Sequence, residues 1–256
     1  MKAPGEYAKI MLPELTFPYL IPGQEVLLDD GKIHLKIVEK AENVTENGGE
    51  NTQEKRYFAK VLWGGLLKSR KSAALPGAKI YPPTLTNSDL ANIKIAKEMG
   101  VTGVMQPFVR DHSDLERVKE ALREAGAEDI RLFAKIENMD GVRKLEKLLP
   151  AADEIVIARG DLGNAVHLWD LPGVQRQISE KCRAAGKPFM VVTQMLASME
   201  RSPVPTRAEV NDIFHAVMDG AASIMVTGET AVGDYPVEVI RYMVNTVRSA
   251  EKEENR

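Results

Sequence analysis

Lys135 and Glu137 stand two residues apart at the end of the apolar run Ile130, Leu132, Phe133 and Ile136. Side chains of an extended strand alternate between its faces, so these two project to the same side. A cation and a carboxylate therefore share one space. A second apolar run, Ile155-Val156-Ile157-Ala158, leads into Arg159-Gly160-Asp161. It brings another carboxylate to a strand end, beside a glycine whose backbone N–H is open to close approach. Two carboxylates, a lysine and bare amides suit a hard cation such as Mg²⁺ holding an anionic small molecule. Taken alone, Lys135 and Glu137 read first as a solvated salt bridge at a strand end. Recurrence of the pattern downstream is what argues for chemistry.

Phe189-Met190-Val191-Val192 is followed by Thr193 and Gln194, and Ser223-Ile224-Met225-Val226 by Thr227, Gly228 and Glu229. A threonine in such a place is by itself commonly a local backbone cap. The spacings are 26 residues from Lys135 to Asp161, 32 on to Thr193 and 34 on to Thr227. Each is long enough for one strand, one helix and two loops. Every polar group then falls at the C-terminal end of its strand, where (β/α)₈ barrels and open α/β sheets alike place their sites.

The elements that must position these groups occupy residues 86–256. Asn87 or Ser88 is expected to cap a helix that ends at Met99-Gly100, before an apolar strand from Val101 to Val109. Ser113 or Asp114 is expected to open another helix, which Gly126 ends. Strands ending near Arg110, Glu137, Asp161, Gln194 and Glu229, with helical patterns between them, predict a parallel sheet. Thr206 and Glu209 fit a capping box of purely structural meaning. His215 reads as a helix-face residue, Cys182 as a structural thiol, and Glu251 to Arg256 as a fraying tail.

Residues 1–85 read as a separate, all-β module. Gln24 to Leu28 and Lys32 to Val38 flank the turn Asp29-Asp30-Gly31 as a hairpin, and Arg56 to Trp63 is a further strand that stops at Gly64-Gly65. Between them, Ala41 to Lys55 is almost wholly polar and reads as a mobile loop.

The length of 256 residues fits one α/β barrel or two small domains. A formal net charge of −3, with no recognised binding motif, gives no case for nucleic acid. One cysteine permits no internal disulfide and suits a reducing compartment. No apolar run reaches the roughly 18 residues that span a bilayer, and the start carries no signal-like apolar core. No membrane partner is expected, and the expected location is cytoplasmic.

Five strings in order resemble one family closely, the pyruvate kinases: Ala134-Lys135-Ile136-Glu137-Asn138, Ala158-Arg159-Gly160-Asp161-Leu162-Gly163, Thr193-Gln194-Met195-Leu196-Ala197-Ser198-Met199, Pro205-Thr206-Arg207-Ala208-Glu209 and Gly228-Glu229-Thr230-Ala231. Asp29-Asp30-Gly31, Gly64-Gly65 and Leu75-Pro76-Gly77 resemble the family's small β "B" domain in shortened form. The resemblance implies a TIM barrel of the phosphoenolpyruvate/pyruvate type, with the small β domain as a lid. It implies a Mg²⁺-dependent (or Mn²⁺-dependent) transfer of phosphate between phosphoenolpyruvate and ADP, giving pyruvate and ATP. Glu137 and Asp161 match the metal ligands, and Lys135 the lysine that neutralises the transferring phosphoryl group. Gly160 and Asp161 match amides that hold the substrate carboxylate, and Thr193 lies there and near the enolate carbon. Thr227 stands where the family usually has serine and keeps a hydroxyl for a proton relay. Lys71 resembles a lysine near the nucleotide phosphates.

The departures from the family shape the expectation. This chain starts after the place where the family carries about three barrel strands, and the Arg-x-Asn-x-Ser segment that serves phosphate and K⁺ has no match here. It stops after the last barrel helix, before the allosteric domain, and Pro107 replaces a usual serine. The expected fold is thus an incomplete or rearranged (β/α) barrel, completed by a partner chain or by homo-oligomerisation. Two other functions fit the same residues: a Mg²⁺-dependent lyase or decarboxylase acting on an enolpyruvate, and a non-catalytic subunit that binds a pyruvate-like or oxalate-like ligand.

Overall fold

The computed structural model describes residues 8–29, 31–41, 55–69 and 71–254. The chain divides into two compact units, Met1–Pro82 and Pro83–Arg256. Asp30 of the expected turn and all of the expected polar loop except Ala41 and Lys55 lie outside the described residues.

The first unit is a four-stranded antiparallel sheet in the order β3-β2-β1-β4. Its strands are β1 (Glu25–Leu28), β2 (Ile33–Lys40), β3 (Tyr57–Trp63) and β4 (Ala73–Ala74). Alternation builds the hairpin: Val26 faces Leu35 and Leu28 faces Ile33 across it. These residues bury together with Leu20, Ile37 and Leu75. Asp29 and Gly31 at the turn have φ of 50° and 81°, the left-handed geometry for which glycine and aspartate are suited. β4 has no sequence signal, since two alanines paired to Leu27 and Leu28 carry no alternation. A 3₁₀ segment at Glu14–Tyr19 was likewise not expected, and Tyr19 fastens it by donating to the Lys79 carbonyl at 2.8 Å.

The second unit is a five-stranded parallel sheet in chain order: β5 (Gly103–Gln106), β6 (Arg131–Ile136), β7 (Glu154–Ala158), β8 (Phe189–Val192) and β9 (Ser223–Met225). Helix α1 (Asn87–Ala96) precedes it. The connections are α2 (His112–Glu124); α3 (Met139–Arg143) and α4 (Leu145–Leu148); α5 (Arg159–Ala165) and α6 (Leu171–Ala184); and α7 (Arg207–Met218). Helices α8 (Gly228–Ala231) and α9 (Pro236–Glu254) follow β9. Helix after strand five times over requires parallel strands, because the chain must return along a helix before each new strand.

Leu132, Ala134 and Ile136 of β6, with Ile155, Ile157 and Phe189, bury in one cluster with Leu115, Ile178 and Ile213 of the helices. The alternate positions form a smaller apolar cluster of Val156, Ala158 and Val192, with Phe133, Met190 and Met225 against it. β7, at the centre, is buried along its whole length, as a strand packed on both faces must be. Lys135 shares the second face with Phe133.

Strands β5 and β9 stop earlier than their apolar runs. β5 is four residues long instead of running from Val101 to Val109, because Pro107 has no N–H to give the ladder and Phe108 turns to a φ of 52°. The caps also shift. Thr86, not Asn87 or Ser88, starts α1 through a reciprocal box with Asp89, which satisfies two otherwise orphaned donors. Asp111, not Ser113 or Asp114, caps α2. Gly126, with a φ of 62°, follows the end of α2 as expected. Helix α9 runs through Glu254, so the expected fraying tail is helical as far as the described residues extend.

Cys182 is fully buried in α6, and that burial pushes its thiol up to about 12, which suits a packing role rather than a reactive one. Among the described residues no helix is long and apolar enough to cross a membrane.

Asp114 does not cap a helix; it is a buried tie. Its carboxylate accepts from the Arg110 backbone N–H at 2.9 Å, from the Arg110 guanidinium at 2.7 Å and from the Thr84 hydroxyl at 2.6 Å. Burial pushes its pKa up, but the hydrogen bonds and charge outweigh this and hold it at about 2 against an ordinary 3.8. The depressed value means that the charged form stabilises the fold at every pH above 3.8, and that the gain disappears as pH falls through 2. Asp114→Asn is expected to lose about 2 kcal/mol at pH 7. In denaturant titrations its deficit against the parent should shrink steadily between pH 4 and 2; a deficit independent of pH would overturn the assignment.

Candidate active site

Strand β6 ends at Ile136, and Glu137 follows it with 3% exposure. One carboxylate oxygen accepts the Phe108 backbone N–H at 2.7 Å, and the other lies 2.7 Å from the Lys135 ammonium. The pair is thus not a solvated surface bridge: the Glu137 side chain is 2% exposed and that of Lys135 is 25%. Next in the chain, Asn138 caps α3 by accepting the Gly141 N–H at 2.9 Å and donates to the Val109 carbonyl at 3.1 Å. Glu137 and Asn138 together fasten the loop after β5 to the end of β6.

Asp161 does not sit on the strand end itself. β7 stops at Ala158, and Arg159, Gly160 and Asp161 form the first turn of α5, with no side-chain cap. First-turn amides have no acceptor within their own helix, and a carboxylate there complements the helix dipole. Gly160 and Thr193 are brought together. A Cβ built on Gly160 would meet the Thr193 methyl at 3.0 Å and its hydroxyl oxygen at 3.7 Å.

Thr193 and Gln194 follow β8 with φ of 78° and 56°. A β-branched residue in the left-handed region is a genuine outlier, and such strain persists only where the surroundings enforce it. The chain then buries Met195 and Leu196 completely.

Thr227 follows β9 as the residue before α8, and its N–H donates to Glu229 at 2.7 Å. Glu229 is 2% exposed, and its other oxygen accepts the Leu196 N–H at 3.3 Å. One carboxylate therefore joins the loops after β8 and β9. Sequence reasoning passed over Glu229 as a site residue, although it stood in a quoted string; a carboxylate right after an apolar run was the available signal. Arg159 was passed over in the same way. The Thr206–Glu209 capping box forms as expected, and Glu209 also accepts from the Ser198 N–H and hydroxyl. Burial raises the pKa of Glu209, but these bonds and those from Thr206 outweigh it and hold the carboxyl below its usual range.

Lys71 belongs to the first unit, where its ammonium pairs with Asp29 at 2.9 Å. His215 is an exposed residue of α7 with its ring against the Asn211 carbonyl.

Among the described residues, no group of three or more His, Cys, Asp or Glu side chains could hold a metal. Glu137 and Asp161 offer two hard oxygen donors. Carboxylate oxygens of this kind suit Mg²⁺ or Mn²⁺, which is commonly held by one or two carboxylates with the remaining positions filled by water and substrate oxygens.

Lys135 stands within β6, and Glu137, Thr193 and Thr227 follow β6, β8 and β9 at the C-terminal end of the parallel sheet, the end at which open α/β sheets place their sites. The family model described as "Pyruvate kinase, barrel domain" matches residues 6–240. The chain is 40% identical over 233 residues to the pyruvate kinase of Geobacillus stearothermophilus, covering 90% of this chain and 38% of that one. Against the Bacillus licheniformis pyruvate kinase it is 38% identical over 230 residues, with the same coverage. Against that of Clostridium acetobutylicum it is 35% identical over 234 residues, covering 91% and 47%. The chain belongs to the pyruvate kinase family, and it spans less than half the length of these relatives.

Removing Glu229 leaves two loop amides without an acceptor. Glu229→Ala is expected to cost about 2–6 kcal/mol, since each of the two unsatisfied buried amides costs about 1–3. Hydrogen exchange at Leu196 and Thr227 should rise together; a rise at one without the other would show that the loops are not joined through this carboxylate.

Proposed function

We propose that this chain carries the phosphotransferase site of a pyruvate kinase, catalysing Mg²⁺-dependent transfer of phosphate between phosphoenolpyruvate and ADP to give pyruvate and ATP. The observation that carries the reading is the buried Lys135–Glu137 pair at the end of β6, in a chain whose relatives are described as pyruvate kinases.

In this reading Lys135 supplies fixed positive charge to the phosphoryl group as it leaves one oxygen for another, where preorganised charge lowers the barrier. Glu137 orients that ammonium and, with Asp161, would hold the divalent cation. When bound, the cation supplies Lewis-acid polarisation of the enolate oxygen and neutralises phosphate charge. The Gly160 and Asp161 amides and the Thr193 hydroxyl receive the substrate carboxylate. Thr193 also lies near the enolate carbon, and the Thr227 hydroxyl relays the proton that this carbon gains when pyruvate forms. Lys71 meets the nucleotide phosphates.

The same reading assigns residues 1–85 as a shortened lid and 86–256 as about five strand–helix units of a TIM barrel. A parallel sheet leaves ladder groups unpaired at its edges, which supports completion by a partner chain or by further copies of this one. It also makes this a cytoplasmic glycolytic protein. K⁺, used by the family, has no matching segment in these residues.

The test is a lactate-dehydrogenase-coupled assay with phosphoenolpyruvate, ADP, Mg²⁺ and K⁺, with the oligomeric state read by native mass spectrometry. Turnover is expected, and Lys135→Met should lower it about 100-fold or more. Glu137→Gln should raise the Mg²⁺ concentration needed. Deuterium exchange into the pyruvate methyl group without phosphoryl transfer would favour the lyase instead. Metal-dependent oxalate binding without either activity would favour the non-catalytic subunit.

A further inference from the structure

Thr193 is held in an unfavourable backbone conformation, and one side chain holds it. Two consecutive left-handed residues, Thr193 and Gln194, each carry a penalty of roughly 1–2 kcal/mol when not glycine. Burial of Met195 and Leu196 anchors the loop on its C-terminal side. On the other side the Thr193 carbonyl oxygen accepts two bonds from Arg159, at 3.2 Å from Nε and 2.7 Å from Nη2.

The rest of the guanidinium is equally engaged. Nη1 lies 2.8 and 2.6 Å from the two carboxylate oxygens of Asp212 on α7, and Nη2 lies 2.9 Å from the Met195 sulfur. The Arg159 side chain is only 13% exposed. A guanidinium has five N–H donors in a rigid fork, and these acceptors account for all of them. Asp212 fixes the fork from one side, and the fork fixes the Thr193 carbonyl from the other.

We infer that Arg159 is a positioning residue: through the Thr193 carbonyl it sets the Thr193 side chain against the Gly160 backbone, and so fixes the loop after β8 relative to the first turn of α5. Arg159 immediately precedes Gly160, whose added Cβ would fall 3.0 Å from the Thr193 methyl. One residue thus adjoins Gly160 in the chain and, through its side chain, holds the Thr193 backbone that Gly160 packs against. The inference rests on the phosphoryl-transfer reading for what Thr193 does, though not for how Thr193 is held.

Arg159→Lys keeps the charge and can keep the pair with Asp212, yet a lysine cannot give parallel donors to a carbonyl on its other side. Hydrogen exchange of the ligand-free chain should be about tenfold faster over residues 193–196 and unchanged in β6 and β7. Adding Gln194→Gly, which removes the left-handed penalty at that position, should restore part of the protection. A purely structural ion pair would not respond in that way. In the coupled assay kcat should fall between 10- and roughly 100-fold, with the KM for ADP unchanged. Exchange equal to that of the parent, or uniformly faster throughout the sheet, would overturn the inference. Should Arg159→Lys not fold, Asp212→Asn, which frees the fork, is expected to give the same local acceleration, and its absence there counts against the inference. If the parent chain shows neither turnover nor ligand binding, the phosphoryl-transfer reading fails, while the exchange comparison still decides whether Arg159 holds Thr193.

Discussion

A carboxylate taken out of water must find donors, and the second unit uses this requirement to tie its loops. Glu137, Glu229 and Asp114 are all nearly inaccessible, at 3%, 2% and 4% exposure. Leaving such a charge unpaired would cost several kcal/mol. Each instead accepts a loop backbone N–H: Phe108 for Glu137, Thr227 and Leu196 for Glu229, and Arg110 for Asp114. In every case the amide belongs to a segment that follows a strand. The loops at the C-terminal ends of the sheet are therefore held by the acids buried among them.

The sheet decides where this network stands. Parallel register aligns Lys135 with Val156 and Val156 with Met190, so the lysine occupies the face that also carries the smaller apolar cluster. Flanked by apolar side chains, the ammonium is attracted to Glu137 more strongly than it would be in bulk water. An ion pair of this kind does little for stability. In the proposed phosphoryl transfer its worth would lie in a charge held ready, with its orientation settled before the anion arrives.

The segment after β8 shows the opposite use of energy. Thr193 and Gln194 occupy left-handed backbone at a cost that surrounding contacts must offset. Complete burial of Met195 and Leu196 anchors one end, and the Arg159 fork holds the other. Glu229 then reaches the Leu196 amide from the next loop. A strained turn between two firm attachments presents its side chain in one direction only.

Much of this was legible in the residues alone. Period-two alternation placed Lys135 and Glu137 together, and the succession of strand and helix patterns implied a parallel sheet; both are local regularities that packing reinforces. The hairpin of the first unit and the capping box at Thr206 and Glu209 were readable for the same reason. The ends of β5, the caps at Thr86 and Asp111 and the two-residue strand β4 were not, because neighbouring candidates compete within a few residues and tertiary contacts choose among them. The ties made by Glu229 and Arg159 join residues 33, 34 and 53 positions apart. Sequence by itself determined which faces are apolar and which chemical groups stand after each strand, since these follow from local repeat. Tertiary structure alone decided which backbone amide or carbonyl each buried charge would meet, because that depends on how separate loops converge at one end of a sheet.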